Sequence, residues 1–161
     1  MTLLPDHGHL SDAEREATTE LVEDVAVAER LAARPGGKDY GVLSIAARLA
    51  ADVTLLMALP PGAFRPAPAV SSAVVRLTFR PPSVAIDDRV LFDGMVKSLF
   101  MQRRKTLGNA FKPFAFTRGA DPAEVLRATG LDATRRPETL DLPELAQLCA
   151  ALAAAPRSTV V

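Results

Sequence analysis

The chain has 161 residues, 48% of them hydrophobic, and its 19 basic and 19 acidic residues give a formal net charge of zero. This length suffices for one ordinary core or two small ones. The single cysteine excludes an internal disulfide, no apolar run reaches the roughly 18 residues of a membrane helix, and the amino terminus lacks a signal-peptide pattern, so we expect a cytoplasmic protein.

The neutral total conceals a segregation of charge along the chain. Residues 1–30 contain eight acidic and two basic residues, whereas residues 94–120 contain six basic residues and no acidic one. Opposite blocks of this kind indicate a polyanionic partner for the basic segment.

The first half of the chain predicts two helices followed by two strands. Residues 11–14, SDAE, form a capping box that predicts a helix from Ser11 to about Ala33, where RPGG stops it. Residues 43–51 fit a second helix, and the short apolar runs 53–59 and 72–79 fit two strands. The four prolines between the strands predict a stiff, extended loop rather than a tight hairpin.

The second half predicts helices only. Residues 80–88 are typical of a linker, after which Asp87 or Asp88 caps a helix that runs to a basic cluster at residues 102–105. Another helix is predicted over residues 107–111. Residues 121–130 combine an aspartate cap, a proline in the first turn and a final glycine, and residues 141–155 repeat the aspartate cap and proline. The predicted class is α+β, a small sheet followed by a helical domain.

Phe64 stands among the prolines of residues 60–68, just before the second predicted strand. One interpretation is a stacking platform, because an enzyme that modifies a nucleobase must extract the base and hold it flat, often against a ring. The alternative is that Phe64 fills the core below a proline-rich connection. Spacing alone favours this alternative.

Arg103, Arg104 and Lys105 end a predicted helix, and Lys112 follows. Consecutive bases without a nearby acid predict a phosphate-binding surface. The alternative is ordinary helix-end chemistry, because cations are favourable at a helix carboxyl terminus. Composition leaves the two readings about even.

The other candidate groups predict no metal or phosphate-loop chemistry. His7 and His9, with one distant cysteine, make no ligand set, and Cys149 is interpreted as a core residue. The densest glycine stretch, residues 36–41, follows a helix, which is the wrong context for a phosphate loop.

Four stretches together resemble one family in order and spacing: VAERLAARPGGKDYGVLS (27–44), PPGAFRPAPAVSSAVVRL (60–77), LFMQRRKTLGNAFK (99–112) and GLDATRRPETLDLPELAQLCAAL (130–152). They resemble the C-terminal part of bacterial small-subunit ribosomal RNA adenine dimethyltransferases, to which the erythromycin-resistance RNA methyltransferases are related. The resemblance implies a Rossmann-like domain that binds S-adenosylmethionine, then a small helical domain. It also implies methylation of N6 of two adjacent adenines near the 3′ end of small-subunit rRNA.

Two motifs of the family can be carried onto this chain. Its F-x-P-x-P-x-V-x-S motif is matched by Phe64, Pro66, Pro68, Val70 and Ser72, which implies that Phe64 stacks on the target adenine. Its Q-R-R-K-T-L motif is matched by residues 102–107 and implies a surface that faces rRNA.

The first half of the family is not matched. The sequence contains no glycine-rich loop after a strand, no acidic ribose ligand at a strand end and no Asn-Leu-Pro-Tyr motif. We therefore expect that this chain alone has no S-adenosylmethionine site and no activity. The expected partner is small-subunit rRNA or the 30S precursor, together with a missing N-terminal half, and neither a membrane nor a metal.

The resemblance implies a division of the chain. Residues 27–80 are expected to be a remnant of the Rossmann-like domain with one or two helices and two strands, residues 81–86 a linker, and residues 87–155 a helical rRNA-binding domain. Residues 1–26 are expected to form an acidic helix without a family match, and residues 156–161 a tail. The competing hypotheses are a non-catalytic RNA-binding or ribosome-assembly module and a gene remnant that folds poorly.

Overall fold

The computed structural model describes residues 17–22 and 24–156. Within them the chain is α+β, as predicted. The elements in chain order are β1 (Ala17–Val22), α1 (Val25–Ala32), α2 (Val42–Ala50), β2 (Ala51–Leu59), β3 (Ser72–Phe79), α3 (Arg89–Met101), α4 (Leu107–Thr117), α5 (Pro122–Thr129) and α6 (Leu142–Ala154). Short 3-10 turns cover Pro61–Ala63 and Pro137–Thr139.

The sheet has three strands in the order β1-β3-β2, and both pairings are antiparallel. The sequence predicted two strands, and both are present as β2 and β3. Residues 60–71 connect them by a loop rather than a tight hairpin, as predicted, and the Arg65–Pro66 peptide bond in this loop is cis. The third strand, β1, was not predicted.

The prediction of a single helix from Ser11 to about Ala33 is wrong for residues 17–22, which form β1. The capping-box residues 11–14 lie outside the described residues. The helix α1 begins only at Val25, where a carboxylate oxygen of Asp24 accepts a hydrogen bond from the Ala26 amide at 2.8 Å. Pairing with β3 along the whole of β1 outweighs the local helix signal, and the two threonines of β1 favour a strand because they are β-branched.

The main hydrophobic core joins residues from both halves of the chain. Tyr40, Ile45 and Leu49 contribute from the first half, and Val84 and Ile86 of the predicted linker pack against it. The helical half contributes, among others, Phe92, Met95, Leu99, Phe111, Leu145, Leu148 and Leu152. A smaller core of Ala28, Ala73 and Val75 lies between α1 and the sheet.

Cys149 is a core residue, as predicted. Its side chain is buried in the main core, and this burial, with smaller contributions from the carboxylates of Asp88 and Asp87, raises the pKa of its thiol to about 11. The thiol is therefore protonated and shielded near neutral pH.

Local signals place the helices of the second half well. The Asp88 carboxylate accepts from the Leu91 amide at 2.8 Å and begins α3. Asp121 caps α5, which ends at Gly130 in the left-handed conformation with φ of +68°. Only α4 differs markedly from its predicted bounds, because it continues beyond Phe111 to Thr117 and contains Pro113.

Candidate RNA-binding site

The basic cluster lies on the turn between α3 and α4. The last turn of α3 contains no basic residue, because the helix ends at Met101 and its cap is Gln102. The Lys105 amide then donates to the Gln102 carbonyl at 2.8 Å, and α4 begins at Leu107. The dipole of α3 therefore explains the cluster less well than the sequence suggested, since that effect falls off within the last turn.

Arg104 and Lys105 differ from Arg103 in their surroundings. Arg104 and Lys105 are exposed, and their side chains make no hydrogen bond or ion pair within residues 17–22 and 24–156. The Arg103 guanidinium donates to the Lys38 carbonyl at 2.8 Å, and its Nε lies 3.6 Å from Oε2 of Glu138. The structure thus separates one structural arginine from two unengaged cations.

Contacts of three residues, Arg103, Gly36 and Tyr40, hold the turn at residues 34–40 against the helical half. The Gly36 amide donates to the Glu138 carbonyl at 2.7 Å, and the buried Tyr40 hydroxyl donates to the Leu140 carbonyl at 3.0 Å. Glycine suits position 36 because its φ is +83°. Gly36 of the glycine-rich stretch therefore has a structural role. Its hydrogen-bond partner, Glu138, is distant in sequence and cannot be identified from a local sequence pattern.

Lys112 is exposed on α4, and its ammonium group donates to Oδ1 of Asn109 at 3.3 Å. The first amides of α4 are already used, because Leu107 donates to the Arg135 carbonyl at 2.6 Å and Gly108 donates to the Ala133 carbonyl at 3.0 Å. An anion near this helix start would therefore depend on side chains such as Lys112 rather than on backbone amides.

Phe64 follows the 3-10 turn at the end of β2 and is half-buried. It is not among the buried residues of either core, so the structure does not support the core-filling alternative. Its amide donates to the Pro61 carbonyl at 3.2 Å, which fixes the backbone beside the ring. Within the described residues, no hydrogen bond or ion pair joins this loop to the basic cluster. The stacking role of Phe64 stays a prediction.

Among the residues that the structure describes, neither a metal-binding cluster nor a membrane-spanning helix is present. No group of three or more His, Cys, Asp or Glu side chains there is placed to hold a metal ion. None of the described helices is long and apolar enough to cross a membrane.

Comparison with known proteins identifies the family. Residues 10–147 match the family model described as "Ribosomal RNA adenine dimethylase". The chain belongs to this family. The match begins closer to the amino terminus than the motifs recognised from residue 27 onward, and it includes β1.

Two relatives are both named ribosomal RNA small subunit methyltransferase A. The protein from Desulfitobacterium hafniense (strain DSM 10664 / DCB-2) is 48% identical over 119 residues, which are 73% of this chain and 42% of the relative. The protein from Anaeromyxobacter sp. (strain K) is 49% identical over 125 residues, which are 76% of this chain and 43% of the relative. The chain thus spans about two fifths of the length of these relatives.

Two solved structures share the fold. A dimethyladenosine transferase from Plasmodium falciparum superposes with a TM-score of 0.71 at 21% identity and covers 82% of this chain and 55% of its own. The 23S rRNA methyltransferase ErmE superposes with a TM-score of 0.54 at 19% identity and covers 86% of this chain and 55% of its own. Each match covers more of this chain than its helical half alone.

Proposed function

We propose that these 161 residues are the RNA-positioning part of a small-subunit rRNA adenine-N6 dimethyltransferase. Arg104, Lys105 and Lys112 contact RNA phosphates, and Phe64 supports the target adenine. The observation that carries the proposal is the pair of exposed cations, Arg104 and Lys105, that no acidic group of the described residues neutralises. Such side chains release counterions when they meet phosphates, which favours RNA binding.

The chemistry assigned to these residues is positioning. Transfer of a methyl group to N6 of adenine requires the nitrogen lone pair to point in line at the donor carbon, and orientation alone contributes strongly to such a reaction. A ring on a stiff loop, as Phe64 is, holds a flipped base flat without taking part in proton transfer. S-adenosylmethionine, which the family implies, supplies the methyl group when it is bound.

We also propose that the S-adenosylmethionine site lies outside these 161 residues. The junction of β1 and α1, where a strand leads into a helix, contains no glycine, and the Asp24 carboxylate there caps α1 by accepting from the Ala26 amide. The one glycine pair, at residues 36 and 37, lies in the turn at residues 34–40, which contacts the helical half. These residues do not fit the donor. The chain spans only about two fifths of the length of the two relatives named above, which supports the same proposal.

The sheet has the features expected where further protein would attach. Within the described residues, β1 pairs only with β3, so its outer edge is unpaired. Leu21 and Met57 are both cross-strand partners of Val74, and their side chains are 51% and 55% exposed on that face. Open edges and apolar faces of this kind favour association. We propose that the donor-binding part of the enzyme covers them.

A salt titration tests the RNA-binding part of the proposal. Binding of a fluorescent RNA from the 3′ end of small-subunit rRNA is measured by anisotropy for the parent chain and for Arg104→Ala plus Lys105→Ala. The magnitude of the slope of log affinity against log salt should decrease by about 1.4 to 1.8, because each of the two lost phosphate contacts accounts for about 0.7 to 0.9. The control Arg30→Ala plus Arg76→Ala removes the same charge from exposed positions on α1 and β3. Equal slopes for the two double variants would contradict the proposal.

A second experiment tests Phe64. The target adenine is replaced by 2-aminopurine, whose fluorescence reports on stacking. Phe64→Ala should change the fluorescence of the bound RNA, whereas Phe64→Tyr should preserve it, because both rings offer a flat face. Identical spectra for Phe64→Ala and the parent would exclude a contact between this ring and the target base.

The alternative function is a non-catalytic RNA-binding module, which the same partial coverage of the relatives favours. Calorimetry with S-adenosylmethionine should show no binding to the chain alone, and stoichiometric micromolar binding would contradict our placement of the donor site.

A complementation assay tests the proposed contact with the donor-binding part. Adding the remaining part of the Desulfitobacterium relative should produce methylation of the RNA, and Met57→Asp should prevent this methylation while leaving RNA affinity unchanged. Persistent RNA binding without restored methylation would favour the module.

A further inference from the structure

A groove of about 670 Å³ lies between α4, α5 and the loop that follows α5. Its lining includes Asn109, Lys112, Leu126, Arg127 and Leu131. The volume is in the range of small-molecule sites and exceeds that of one nucleotide base. The sequence did not predict this groove, because Asn109 and Arg127 belong to different helices and only the fold brings them to one site.

The rim of the groove is cationic. Lys112 and Arg127 are its charged lining residues, and no acidic residue lines it. The Arg127 side chain is exposed and makes no hydrogen bond or ion pair in the described part of the chain. Thr106 lines the groove and follows Lys105 directly in sequence. A polyanion on Arg104 and Lys105 would therefore lie beside the groove entrance.

The interior of the groove offers groups that suit a nucleobase. The half-buried Leu131 and the small exposed part of Leu126, which otherwise belongs to the main core, provide an apolar surface, and the planar Arg127 guanidinium can stack on a ring. Asn109 supplies a side-chain amide whose oxygen already accepts from Lys112 and whose two N–H groups can donate to a base edge. The first amides of α4 are used by the Arg135 and Ala133 carbonyls, so recognition depends on side chains.

One wall of the groove is held rigidly. An oxygen of the Asp132 carboxylate accepts from the Thr134 amide at 2.8 Å and from the Thr134 hydroxyl at 2.7 Å. A Cβ at Gly108 would lie 3.3 Å from the Ala133 Cβ, a tight contact, so glycine at this position lets the loop approach α4 without a shift of a few tenths of an ångström. A preformed site loses less conformational freedom on binding.

We propose that this groove binds one unpaired nucleotide of the RNA held by Arg104 and Lys105, with the base on Leu126, Leu131 and Arg127 and the adjoining phosphate on Lys112. The proposal rests on the proposed RNA-binding function and adds a second contact, separate from Phe64. RNA is favoured over an acidic peptide because Thr106 of the groove adjoins Lys105, so a single RNA can place phosphates on the basic cluster and on Lys112 and a base between them.

The test compares two RNA hairpins that differ by one unpaired nucleotide next to the stem. The parent chain should bind the hairpin with the unpaired nucleotide about tenfold more tightly, the order expected for stacking of one base. Arg127→Ala and Ala123→Glu should abolish this preference. Arg118→Ala, which removes an exposed cation at the end of α4 away from the groove lining, is the matched control and should keep it.

Asn109 provides a direct readout because it is the one asparagine in the sequence. Selective labelling with nitrogen-15 asparagine gives a single pair of side-chain amide signals, and these should shift only with the hairpin that carries the unpaired nucleotide. Circular dichroism confirms that each variant is folded.

The outcomes separate this proposal from the proposed function. Suppose that RNA binds with the salt dependence of Arg104 and Lys105, but with no preference for the unpaired nucleotide and no Asn109 shift. The groove proposal is then wrong and the RNA-binding function stands. If neither hairpin binds with measurable salt dependence, both proposals fail.

Discussion

The contrast between Arg103 and Arg104 gives the most direct test of the structure. These neighbours have identical side chains, but only Arg103 is engaged within the protein, with the Lys38 carbonyl and with Glu138. We expect Arg103→Ala to lower stability and Arg104→Ala to lower RNA affinity. Each variant is the control for the other.

The expected loss of stability follows from the contacts of Arg103. Its 2.8 Å hydrogen bond to the Lys38 carbonyl is assisted by charge, and such bonds contribute about 1.5–3 kcal/mol. The lower end applies because the side chain is 38% exposed. The ion pair with Glu138, 3.6 Å long, adds up to about 0.5 kcal/mol. Oε2 of Glu138 is buried and accepts no hydrogen bond within the described residues, so removal of Arg103 isolates it. The total is about 2 kcal/mol.

Urea unfolding followed by circular dichroism measures this loss. Arg103→Ala should lower the free energy of unfolding by about 2 kcal/mol with an unchanged m-value, equivalent to about 4–8 °C in Tm for a chain of this size. Arg104→Ala should stay within about 0.5 kcal/mol of the parent, as surface substitutions usually do. Equal stabilities for the two variants would refute the conclusion that Arg103 stabilises the fold through its contacts with Lys38 and Glu138.

The remaining predictions concern a turn, a buried phenol and a buried thiol. Gly130→Ala should lower the free energy of unfolding by about 1 kcal/mol, measured in urea, because a residue with a Cβ is strained at φ of +68°; an unchanged midpoint would argue against the left-handed cap. Burial raises the pKa of Tyr40 to about 12 from its usual value near 10. The stabilisation is therefore fully present below about pH 10 and is lost as the pH rises through about 12, by up to about 2–3 kcal/mol. This alkaline loss should be smaller in Tyr40→Phe, and the same pH dependence in both proteins would contradict the buried phenol. Cys149 should react with iodoacetamide at least about 100-fold more slowly in the native chain than in urea at about pH 8, because its thiol is buried and its pKa is raised; similar rates would place it outside the core.

Local signals were sufficient for most of the helical half. Asp88 and Asp121 cap the helices that their positions predicted, and Gly130 ends α5. A cap acts on amides two or three residues away, so its effect is visible in a short window of sequence. The motifs shared with the family are equally local, and they were enough to recognise it.

The strand β1 shows where local signals fail. Residues 17–22 come after the capping-box residues 11–14, which predict a helix. They pair instead with β3, whose residues are more than fifty positions later in the chain. Pairing partners at such a distance leave no periodic signal near β1 itself. The tertiary structure alone decided that this segment completes a sheet.

The candidate site divides in the same way. Composition alone identified a basic segment and placed Arg103, Arg104, Lys105 and Lys112 in it. The structure distinguished Arg103, whose acceptor at Lys38 is 65 residues away in sequence, and it formed the groove from residues of two helices and a loop. The sequence by itself therefore determined the family, most helices of the second half and the position of the basic segment. Which cations are unengaged, and what lies beside them, was decided by contacts between distant segments, which form only when the chain is folded.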